Sequence, residues 1–195
     1  MTSSIIMRIQ RNNRYRLLFL LSLLSSLAAC ETYGNVTVAN DSFRQGTVVN
    51  LKLLHKSVEA ISGLGGQKFI EAAYTRTRKQ GAPSPVEMKI ILDITETAEL
   101  KSEAFVQIDA QAFELQLTGI NRTTNVRPQY DLIPFGRSRT GTTYKAFGTF
   151  RFTPEFWQKM MQAQGLSYRI YVDQTPYTIR VSADDFQKLR LFDRQ

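Results

Sequence analysis

A β-rich α+β fold is what this sequence predicts: an antiparallel, hairpin-connected sheet or sandwich with one or two short helices packed on it. Three observations carry the prediction. Beyond residue 68 apolar residues recur at every second position, the mark of strands with one buried face. Two Asp-led turns join such segments directly, as antiparallel hairpins require. Only two stretches, near residues 154 and 183, carry helix start signals. Of the 195 residues 43% are hydrophobic and 22% charged, a balance that supports a real core and excludes wholesale disorder.

The elements follow in order. Residues 31–46 are polar and turn-rich, and are expected to form a tether with one short strand at Val36–Val38. Residues 47–62 allow two readings, a strand followed by a helical turn or one poor helix; Gly63, Gly65 and Gly66 then break the chain. Met88, Ile90, Leu92 and Ile94 alternate with Lys89, Ile91 and Asp93. Val106 and Ile108 lead through Asp109-Ala110-Gln111 into Phe113, Leu115 and Leu117. Tyr144, Ala146, Gly148, Phe150 and Phe152 form a further alternating run. Tyr168, Ile170 and Val172 turn at Asp173-Gln174-Thr175-Pro176 into Tyr177, Ile179 and Val181, a pattern like that of the hairpin from Ile108. That likeness fits a duplicated unit, or simply two hairpins that share an Asp turn.

Thr153 as N-cap, Pro154 at the first helical position and Gly165 as a stop define one helix. Phe152 and Trp157 staple its start, and Phe156, Trp157, Met160 and Met161 share a face expected to pack on the sheet. Ser182-Ala183-Asp184-Asp185 opens a second short helix, ending near Leu191-Phe192, as a capping box with Asp185 reaching back.

The first thirty residues differ from the rest. Arg8, Arg11, Arg14 and Arg16 stand without an acid, followed by thirteen uncharged residues, Leu17 to Ala29. A basic start, a short apolar run and small residues at its end make a signal-peptide pattern. Thirteen residues fall short of the roughly 20 that a membrane span needs. The run ends in Leu27-Ala28-Ala29-Cys30, where Cys30 is the chain's one cysteine. This stretch resembles a lipobox, the signature of bacterial lipoproteins. The resemblance covers residues 1–30 and implies cleavage before Cys30, palmitate-type acylation of Cys30, and attachment to a membrane facing the periplasm. Glu31 in place of Asp after that cysteine implies the outer membrane rather than inner-membrane retention.

The expected organisation is thus a signal peptide at 1–29, the lipidated Cys30 and tether at 30–46, and a single β-rich domain at 47–195. Removing residues 1–29 leaves 166 residues and lowers the net charge from +8 to +4. That is a solubility-grade charge, and nucleic acid is not an expected partner.

Chemistry is sparse. One cysteine excludes an intrachain disulfide and a multi-thiolate zinc site, and one histidine excludes two-His metal motifs. No catalytic residue, metal ligand or cofactor is expected. His55 reads as a surface or half-buried histidine, Asp184 and Asp185 as helix-start charges, and Arg76, Arg78 and Lys79 as a guarded strand edge. The stretch 122–143 stands out for contact. It holds Arg122, Arg127, Arg137 and Arg139 against one acid, interleaved with Tyr130 and Phe135. It is expected as a long loop with a short strand at Tyr130–Ile133, suited to an anionic envelope component or an acidic protein. The leading functional expectation is a non-catalytic binding or scaffolding module of the cell envelope. The alternatives are an envelope hydrolase with unidentified carboxylates and a surface-displayed, adhesin-like lipoprotein.

Overall fold

Alternation along the chain resolves into strands in the computed structural model, which describes residues 33–43, 46–60, 67–79, 84–129 and 139–195. In chain order these are β1 (Val36–Asp41), β2 (Gly46–Ala60), β3 (Gln67–Lys79), β4 (Val86–Ile94), β5 (Leu100–Ile108), β6 (Gln111–Gln116), β7 (Thr118–Gln129) and β8 (Arg139–Phe152). Helix α1 (Pro154–Gln162) follows, then β9 (Leu166–Val172), β10 (Thr175–Arg180) and helix α2 (Ala183–Arg194). The period of two is plainest in β4 and β9, where Met88, Ile90 and Leu92, and Tyr168 and Ile170, are buried between exposed or half-buried neighbours. The protein is β-rich and antiparallel, with two short helices packed on the sheet, as the sequence predicts.

The strands run in the order β6-β5-β9-β10-β2-β3-β4-β8-β7, with β1 added to β2. β6 and β7, at opposite ends of this path, are consecutive in the chain and separated by Leu117 alone. The sheet therefore curls until both ends share one run of chain. Leu117 makes the closure: its N–H donates to the Ser102 carbonyl oxygen on β5 at 2.8 Å. A Cβ built on Gly148 of β8 would stand 3.1 Å from Leu117 Cδ2, so the smallest residue admits the leucine there. A second junction joins β2 to β10 through Ser57 and Ile179, beside a register irregularity between Lys56 and Ala60. Such a bulge bends a strand, which lets the long β2 serve two neighbours in turn.

Two hairpins of this ring mirror one another. β5 pairs with β9, and each continues through a two-residue turn opening on an aspartate with φ 54, Asp109 and Asp173. Asp109 Oδ1 accepts from the N–H groups of Gln164 and Gly165, at the entrance to β9. Asp173 Oδ1 accepts from Glu99 N–H, at the entrance to β5. The likeness between the two segments thus extends to reciprocal docking.

Both N-caps are the expected residues. Thr153 Oγ1 accepts from Phe156 N–H at 3.3 Å, and Ser182 Oγ from Asp185 N–H at 3.1 Å. The Phe152 and Trp157 rings lie 6.0 Å apart, completing the staple. Trp157 also meets Tyr74 and Phe192, so α1 and α2 join the interior through one aromatic cluster. Asp193 ties the same corner. It accepts from Arg76 at 2.6 Å and from Trp157 Nε1 at 2.8 Å, while Arg78 donates to its backbone carbonyl oxygen. Burial alone would raise the Asp193 carboxyl; the Arg76, Trp157 and Gln158 contacts overcome this and hold it below its ordinary value.

Four expectations change. The strand expected at Val36–Val38 is present but runs on to Asp41 and pairs with β2 along its whole length, so it belongs to the sheet, and the folded unit begins at Tyr33. Residues 46–60 form one strand with no helical turn, because Leu51, Leu53, His55 and Ser57 all take the buried face. Helix α1 ends at Gln162, and Gly165 instead supplies an N–H to Asp109. Arg76 and Arg78 do not guard an edge: β3 lies between β2 and β4, and both arginines meet Asp193.

Candidate functional site

The arginine-rich stretch 122–143 divides between two paired strands rather than forming a long loop. β4 pairs with β8 as far as Ile94 and Tyr144. β7 and β8 continue as a pair of their own, from Asn125 and Thr143 to Gln129 and Arg139. Five residue pairs at about 3.3 Å per residue carry this ribbon about 17 Å past the end of β4. Arg127 lies on the outgoing strand and Arg139 on the returning one. Tyr130, Phe135 and Arg137, and the strand expected at Tyr130–Ile133, lie outside the described residues, as does Cys30.

Arg122 stands at the ribbon's root. Its guanidinium donates to the Glu96 carbonyl oxygen in the β4–β5 turn and lies 4.9 Å from the Tyr144 ring centroid. Partial burial and the Glu96 carboxylate push the Tyr144 phenol up, against the pull of Arg122. Beside this cluster opens a hollow of about 390 Å³, lined by Ile94, Leu100, Ile120 and Ala146 together with Arg122. The root sets a cation and an aromatic ring over an apolar floor, with the Glu96 and Glu99 carboxylates beside them.

Sequence reasoning missed a second cluster inside the sheet. His55 is 3% exposed, and its Nδ1 lies 3.4 Å from Asp185 Oδ2 at the start of α2. Asp185 therefore faces the core, where a back-reaching cap was expected; Lys188 also approaches it, at 3.5 Å. Burial lowers the imidazole pKa from its ordinary 6.5, although Asp185 pulls it up. His55 Nε2 and the buried hydroxyls of Tyr74 and Tyr168 have no hydrogen-bond partner among the described residues. Burial raises both phenols. Ser57, two residues along the same face, donates to the Glu59 carbonyl oxygen at 2.9 Å and accepts from Lys68 N–H. The histidine thus joins β2 to α2, with the nearby hydroxyl committed elsewhere. The signal that could have found it is its place in the alternation: His55 shares the face of Leu51 and Leu53.

Among the described residues, no group of three or more His, Cys, Asp or Glu could hold a metal ion, and no helix is long and apolar enough to cross a membrane. No protein-family model, curated protein or solved structure matches this chain.

Proposed function

We propose that the protein is a lipid-anchored component of the bacterial cell envelope, held at the outer membrane through acylated Cys30. It acts there as a binding module rather than an enzyme. The lipobox-like sequence at residues 27–30 supports the anchor. The single observation that supports binding is the β7–β8 ribbon, which carries arginines beyond the body of the sheet. Its partner is an anionic envelope component or an acidic protein surface, because arginine forks pair with carboxylates and phosphates. Two or three acyl chains hold stably where one holds marginally, at about 0.8 kcal/mol per buried methylene. The folded unit begins at Tyr33, three residues beyond Cys30. An extended chain of that length spans at most about 11 Å, so anchoring through Cys30 keeps the domain at the membrane surface.

Two sets of variants test this reading in cells. Cys30→Ser should lose acylation and accumulate as uncleaved precursor that still carries its signal peptide. Alanine at Arg122, Arg127, Arg137 and Arg139 together should keep membrane attachment and abolish crosslinking to the partner. Membrane fractionation of Cys30→Ser without precursor overturns the anchor. Unchanged crosslinking by the four-alanine variant overturns the ribbon's role.

A further inference from the structure

The outer face of β5, β6, β9 and β10 carries a hollow of about 250 Å³ that neither the anchor nor the ribbon uses. Its lining includes Phe105, Gln107, Ser167, Arg169, Tyr171 and Thr178. The strand register sets them in rows. Phe105 stands opposite Arg169, and Arg169 opposite Thr178; one row on, Gln107 stands opposite both Ser167 and Ala112. The small side chains of Ser167 and Ala112 leave the depression, and the larger ones wall it. Phe105 and Tyr171 meet edge to face with centroids 6.3 Å apart.

Arg169 is held in place. Its Nε donates to Thr178 Oγ1 at 3.0 Å, and Thr178 N–H donates to Glu59 Oε2 at 2.5 Å. The guanidinium is thereby fixed through Nε, close enough to the Glu59 carboxylate to help lower its pKa, and a ligand would meet its terminal nitrogens. It is the one charged side chain in the lining.

We propose that this face binds an acidic saccharide, one pyranose ring with its carboxylate on Arg169. The C–H faces of a sugar pack on aromatic rings, as apolar groups do. Hydroxyls pair with the amide of Gln107 and the hydroxyls of Ser167 and Thr178. A carboxylate takes a bidentate fork from a pre-positioned guanidinium. The hollow is smaller than the about 300–1,000 Å³ of drug-sized sites, which suits a single ring of a longer glycan lying along the sheet. Glu114, opposite Phe105, and Arg180, opposite Ser167, continue these rows beyond the hollow. This site is independent of lipid anchoring and of the ribbon.

The test is calorimetric titration of the full chain in detergent with tetragalacturonate, and with maltotetraose as its neutral counterpart. Tetragalacturonate should bind at least about tenfold more tightly than maltotetraose, and Arg169→Gln should remove about that factor. Phe105→Leu should weaken both sugars, and alanine at the exposed Arg151 of β8 should change neither. Unfolding midpoints of the variants confirm that each remains folded. Absence of binding at millimolar tetragalacturonate overturns the proposal. So does binding that survives Arg169→Gln, or that falls equally with Arg151→Ala, which would mark general attraction of a polyanion.

Discussion

His55 is the chain's one histidine, and its burial against α2 makes it a reporter of acid stability. Its folded-state pKa lies below the ordinary 6.5, with burial as the leading cause. The unfolded chain therefore takes the proton first as the pH falls. The stability that neutral His55 secures is complete above about pH 6.5 and declines below it, toward the lower pKa of the folded state. No other side chain has an ordinary pKa in that window, so the slope belongs to this residue. The urea midpoint should fall between about pH 7 and about pH 5, the unfolding free energy dropping by at most about 1.4 kcal/mol per pH unit. His55→Gln should flatten the curve across the same range. A wild-type midpoint that holds constant across it would show that the imidazole carries no such penalty.

At the scale of elements, the two Asp turns show how one residue type does two tasks. A positive φ disfavours most side chains, while Asp and Asn accept it through local hydrogen bonding. Asp109 takes φ 54 and its carboxylate docks the chain entering β9. Asp109→Ala keeps the strain and loses both acceptor contacts, so it should cost about 2 kcal/mol in denaturant unfolding. Asp109→Asn retains an acceptor oxygen and the tolerance of positive φ, and should lose less than half as much. The turns and the helix caps were legible because their signals are local. The β7–β8 ribbon was not. Ile120 to Asn125 are exposed on both faces, so no buried side produces alternation and a strand reads like a loop. The root of the candidate site was legible only as composition: Arg122 was singled out, but its neighbours Glu96 and Tyr144 come from another turn and another strand.

For the whole molecule, closure of the sheet rests on Leu117. It is buried, its backbone bonds β5, and its side chain packs against β8. Leu117→Ala should destabilise the fold by about 2–4 kcal/mol through lost contact and a cavity. Because both ends of the strand path meet there, the loss should spread through the ring. Trp157 fluorescence and far-ultraviolet circular dichroism should then report one coincident transition in the wild type and in the variant. Separate transitions would show that the strands on either side of the β2–β10 junction unfold as independent units.

Sequence alone determined what depends on near neighbours: the two-residue period of the core strands, the Thr153 and Ser182 caps, the Asp-led hairpins, and the basic, apolar, cysteine-ended start. Each of these is a relation among residues a few positions apart. Tertiary structure alone decided which strands are neighbours, that β6 and β7 close the ring, and that His55 meets Asp185 and Arg76 meets Asp193. Those contacts join residues far apart in the chain, and no local periodicity encodes a partner more than a hundred residues away. The physical reason is that burial and hydrogen bonding reward proximity in space, whereas periodicity records only which face each strand must hide.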